Sequence, residues 1–93
     1  MQPSVGRIVH VLVDPRQNNG TDVAPGVVTR VWSDTCVNLR VLLDGPDVQW
    51  LTSVPLAETR QALEDNLDRL VAEGVVSGDP RPRPNGAFWP PKT

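Results

Sequence analysis

Val27-Val28-Thr29-Arg30-Val31-Trp32-Ser33-Asp34-Thr35-Cys36-Val37-Asn38-Leu39-Arg40-Val41-Leu42-Leu43 carries most of what this chain says about its architecture. Two runs rich in β-branched residues flank the short polar turn Ser33-Asp34-Thr35, the pattern of two strands joined in a tight hairpin. In the second run, Cys36–Leu43, the residues Val37, Leu39, Val41 and Leu43 alternate with Asn38 and Arg40, so one face is apolar and the other polar. In the first, Val27–Trp32, strict alternation places Val27, Thr29 and Val31 on one face and Val28, Arg30 and Trp32 on the other.

On the N-terminal side, Arg7–Val13 reads as a strand buried on much of both faces. A polar loop, Asp14–Asp22, follows and ends at Pro25-Gly26. Within it Asn19-Gly20 is a turn signal, because both residues tolerate positive φ. On the C-terminal side, Asp44–Asp47 is a turn and Val48–Val54 a shorter fourth strand. Pro55 cannot donate to a ladder and is expected to stop the sheet. The period then changes: Leu56, Leu63, Leu67, Leu70 and Val71 share one helical face, which predicts an amphipathic helix over 56–74. Glu58 suits its positive end, Asp65 and Arg69 form an i,i+4 pair, and Gly74 is its expected stop. The alternating prolines of 79–86 favour an extended crossover carrying Arg81 and Arg83. It leads to a fifth strand, Ala87-Phe88-Trp89, ended by Pro90-Pro91. Five short strands with one helix before the last predict a mainly β domain spanning 1–93. An SH3-like barrel fits best and an OB-like barrel second.

Composition bounds the chemistry. With 93 residues, a single core is expected and only modest stability. Cys36 is the sole cysteine, so neither an internal disulfide nor a cysteine-based zinc cluster can form, and a reduced, intracellular setting is the simplest expectation. A formal charge of −2 and a pI near 5.1 argue against a partner that is a nucleic-acid polymer, since such binders carry a basic face. No apolar run approaches the ~20 residues of a membrane span, and no signal peptide is visible. A chain this small gains from self-association, so a homo-oligomer is expected.

Several segments together resemble a family of small proteins of tailed bacteriophages and bacterial prophages. They are Pro3-Ser4-Val5-Gly6-Arg7-Ile8-Val9-His10, Val28-Thr29-Arg30-Val31, Val37-Asn38-Leu39, Ser53-Val54-Pro55 and Phe88-Trp89-Pro90. The first is the most specific, and the resemblance covers most of the chain apart from 57–80. Two positions depart from the pattern: Val11 stands where the family has an aromatic, and Phe88 where a histidine often precedes the terminal tryptophan. The expected helix also looks like an insertion. The resemblance implies a phage or prophage origin and residence in the host bacterial cytoplasm. It supplies no catalytic residue.

Candidate reactive groups are few. His10 is the only imidazole; it is either a donor to an anionic ligand or a histidine satisfied within its sheet. One histidine without a second cysteine makes a metal site unfavourable. A Cys36–His10 dyad requires the first and third strands to be neighbours. The acids Glu64, Asp65, Asp68 and Glu73 read as a solvated helix face. The tryptophans carry more information, being core plugs or stacking platforms. Trp32 and Arg30 share a strand face, Arg40 is expected close by across the hairpin, and such a patch can hold a nucleobase and its phosphate. The expected function is non-catalytic binding of a small anionic, nucleotide-like ligand or of a host defence protein. The site comprises Arg7, His10, Arg30, Trp32, Arg40 and Trp89, with no cofactor and no metal. The alternative is a virion component, decorating the capsid or seated at the head–tail junction.

Overall fold

Five strands follow one another around a closed barrel in the computed structural model, which describes residues 2–72 and 86–90. They are β1 (Ile8–Leu12), β2 (Val23–Ser33), β3 (Cys36–Leu42), β4 (Val48–Ala57) and β5 (Ala87–Phe88), with helix α1 (Arg60–Ala72) between β4 and β5. Neighbours are antiparallel except β4 and β5, which run parallel. A parallel pair cannot be joined by a hairpin, and the connection containing α1 gives the chain room to return. The protein is therefore mainly β with one helix, a small barrel of the SH3/OB-like kind. The strands succeed each other as a meander that β5 closes against β1.

Alternation explains the core. Val9 and Val11 of β1, Ala24 and Val28 of β2, Val37, Leu39 and Val41 of β3, and Val54 and Leu56 of β4 all point inward and are buried. At Gly26 a Cβ would lie 2.7 Å from Val11 Cγ2, so only glycine lets the two strands approach there. β5 serves two clusters: Ala87 faces the barrel core, while Phe88 faces outward and packs with Leu63 and Leu67 of α1. Asn18 ties the loops at one end. Its amide donates to the carbonyls of Thr21 (2.9 Å) and Val23 (3.1 Å), and its Oδ1 accepts the Asp44 N–H (2.6 Å).

The hairpin of β2 and β3 forms as expected, and Asn19 (φ 50°) and Gly20 (φ 86°) adopt the left-handed turn their sequence implies. Other expectations are corrected. β2 begins at Val23, so Pro25-Gly26 lies inside a strand and not in a loop. β4 continues through Pro55 to Ala57. Pro55 sits opposite Cys36 while Leu56 N–H, one residue on, bonds Thr35 O at 2.9 Å; this is a non-hydrogen-bonded position, where the missing proline donor costs nothing towards β3. Leu56 is consequently a core residue of β4, and α1 starts at Arg60. Thr59 caps it, its Oγ1 accepting the Ala62 N–H at 3.1 Å. The expected Asp65–Arg69 pair is not made. Arg69 bonds Asn66 (2.7 Å) and Asp65 accepts from Gln61 (3.0 Å). Strict alternation along β2 also fails: the register shifts between Val28 and Arg30, and this bulge sends Val28 inward and Arg30 outward. The side chains from Leu70 onward, Gly74, and the proline-rich crossover up to 85 lie outside the described part.

Candidate functional site

The strand registers line up outward-facing residues in rows across the sheet. Ile8 lies beside Val27, Val27 beside Arg40, and Arg40 beside Trp50. Leu42 and Val48 pair in the adjoining row, and Arg30 stands opposite Asn38. Ile8, Trp32, Leu42, Val48 and Trp50 are all exposed. An antiparallel sheet with one face in a core usually turns a polar face to water; this one turns a largely apolar face, the kind of surface that marks interaction. Its charge is one-signed. None of the 11 acidic residues lies within β1–β5, whereas Arg30 and Arg40 do. An acidic chain thus hides a cationic, aromatic sheet.

Trp32 is held from two sides. Its Nε1–H donates to Asn38 Oδ1 at 2.9 Å, and the Arg30 guanidinium stacks 4.0 Å from its ring centroid. The ring remains 53% exposed. Asn38 Oδ1 also accepts the Ser53 N–H at 2.8 Å. That bond fixes a bulge in β4, where Ser53 has φ 52°. One buried amide oxygen therefore joins β2, β3 and β4 and sets the tryptophan on their outer side. Asn38→Ala leaves the Ser53 N–H without its acceptor and releases Trp32, and it should lower stability by about 1–3 kcal/mol. Urea denaturation followed by tryptophan fluorescence measures this, with Asn38→Asp, which keeps an acceptor, expected to lose less.

Trp50 is 59% exposed beside Arg40. Among the described residues neither Arg30 nor Arg40 has a carboxylate partner, whereas Arg16 is paired with Asp14 and Arg60 with Asp22 and Glu64. Hydrogen bonds from Arg16 and Arg60 hold the Asp14 and Asp22 carboxyls below their ordinary range; Asp14 is half-buried and Asp22 exposed, both in the loop between β1 and β2. Among the described residues, no group of three or more His, Cys, Asp and Glu side chains is placed to hold a metal, and no helix is long and apolar enough to cross a membrane.

The six residues singled out from the sequence do not converge. Arg30, Trp32 and Arg40 share the outer face of β2 and β3. Arg40, however, stands beside Val27 and Trp50, one row removed from the Arg30–Asn38 pair. Trp89 is 4% exposed and belongs to the barrel core, with the Arg7 guanidinium 5.6 Å from its ring centroid. Burial on that scale leaves it a core plug, because β5 closes the barrel over it. His10 meets Phe88 edge-on, with centroids 5.4 Å apart and planes at 88°. It lies on β1, whose neighbours are β2 and β5, while Cys36 lies on β3; the two are not on adjacent strands. Asn38 and Trp50 were missed as site residues. No local signal marks Trp50, because its place next to Arg40 depends on the β3–β4 register.

Protein-family models, curated proteins and solved structures were each compared with this chain, and none matches it.

Proposed function

We propose that this protein acts by binding, without chemical turnover, and that the outer face of β2, β3 and β4 takes an anionic partner. The supporting observation is the pairing of two half-exposed tryptophans, Trp32 and Trp50, with two arginines that have no carboxylate partner among the described residues. A free guanidinium beside an aromatic ring is suited to a carboxylate or phosphate, which it grips with two parallel hydrogen bonds. The site keeps Arg30, Trp32 and Arg40 of the set expected from the sequence, gains Trp50, and loses the buried Trp89. With a phage or prophage origin, as the N-terminal resemblance suggests, the partner would be a host molecule met in the bacterial cytoplasm. The exposed aliphatics Leu42 and Val48 also suit a permanent seat in a larger assembly, the virion reading. Mass spectrometry of purified particles separates the two, stoichiometric presence favouring the second.

Calorimetric titration tests the binding reading. Wild-type protein is titrated with linear and cyclic nucleotides and with purified host defence proteins. At least one should bind, and Trp50→Ala should weaken it tenfold or more, about 1.4 kcal/mol. Arg16→Ala, at a guanidinium already paired with Asp14 in the β1–β2 loop, should leave it unchanged. Flat traces throughout would remove the proposal.

A further inference from the structure

We infer that the partner seated on this face is a polypeptide presenting carboxylates among apolar side chains, an inference that rests on the binding reading above. Three observations point there. First is extent. The row Val27–Arg40–Trp50 crosses β2, β3 and β4, about 10 Å at the usual strand spacing, and Leu42 and Val48 widen it with aliphatic surface that a nucleotide does not need. Second is composition. Arg and Trp with no acid in any strand and no lysine match the centre of a protein interface, where those two residue types are enriched and lysine and acids depleted. Third, the uncharged polar group beside Trp32 is already engaged: Asn38 Oδ1 accepts from both the Trp32 Nε1–H and the Ser53 N–H.

Charge argues against a second copy of the same face. A two-fold contact presents each surface to itself, so Arg30 and Arg40 would meet a face with no carboxylate to receive them, and like charges across an interface are unfavourable. The complement must bring its own acids.

The test is selection from a displayed library of random 12-residue peptides on the full chain, with counter-selection on the double variant Arg30→Glu, Arg40→Glu. Enriched peptides should carry Asp or Glu beside aromatic or aliphatic residues. Their affinity should fall at least tenfold on Trp50→Ala and on Arg40→Glu, and should weaken as salt is raised, because exposed charge pairs are screened. Replacing the peptide's acids by lysine should restore binding to Arg40→Glu. Circular dichroism checks that these exposed positions leave the fold intact. Peptides without acids, or indifference to Arg40→Glu, would overturn the inference. So would Trp50-dependent binding of ATP or of a 12-nucleotide oligothymidylate without any acidic peptide, although the binding reading would then stand. Self-association of the wild type in sedimentation, abolished by Trp50→Ala, would give the face to a second copy and also overturn it. If no probe binds, both fall.

Discussion

Trp89→Ala should destabilise the protein by about 3–5 kcal/mol, the range for removing a buried indole from a packed core. The ring sits with Val9, Val11, Leu39 and Leu56 inside the barrel and is 4% exposed. The adjacent inward residue of β5, Ala87, is too small to fill the space. The Trp89 N–H also bonds Ala57 O at 3.1 Å, so the residue extends the pairing of β5 with β4. A domain of this size has roughly 5–14 kcal/mol in total, so a large part of the fold's margin rests on one side chain. Urea unfolding should show a lower midpoint at an unchanged slope. A loss below about 0.5 kcal/mol, the level of surface substitutions, would mean that Trp89 stands at the rim and is free to meet a ligand. The two outcomes separate a core role from a site role for a residue whose sequence context suits either.

Leu67→Ala comes next, with an expected loss of about 2–4 kcal/mol. Leu67 and Leu63 of α1 are fully buried against Phe88, with Leu12, Val23 and Ala57 at the margin. This small cluster lies outside the barrel and attaches the helix to β5. Its loss should therefore loosen β5 together with α1. Amide exchange should show the α1 and Ala87–Phe88 amides losing protection ahead of β2 and β3. The double variant Leu67→Ala, Phe88→Ala should lose less than the sum of the single changes, because the two side chains share one contact. Strict additivity would mean that the helix is anchored elsewhere.

Much of the barrel is legible in local chemistry. The β2–β3 hairpin follows from two β-branched runs around a polar turn, and the alternation of β3 holds for Val37, Leu39 and Val41, buried, and Arg40, exposed, but not for Asn38, which is buried. The errors fall where a residue's local preference is overridden by its neighbour across the sheet. Pro25 and Pro55 look like breaks, yet each lies within a strand. The bulges near Thr29 and at Ser53 leave no local trace in a one-residue reading, because they are set by how β2 and β4 both fit against Asn38. The Arg30–Trp32 stack is visible two residues apart in the chain. The Arg40–Trp50 pair is not, as it requires the β3–β4 register.

What the linear chain alone settled is local: which runs form strands, where the β2–β3 hairpin turns, and that acids stay out of those runs, leaving Arg30 and Arg40 as the charges of the sheet. Propensity and alternation suffice for that. Which apolar residues would be enclosed and which left facing water came from closure. The two-residue strand β5 joins β1 to β4 and takes Trp89 inside, while the bulges turn Trp32 outward. Both tryptophans carry the same chemistry, and only long-range pairing assigns one to the core and the other to the surface.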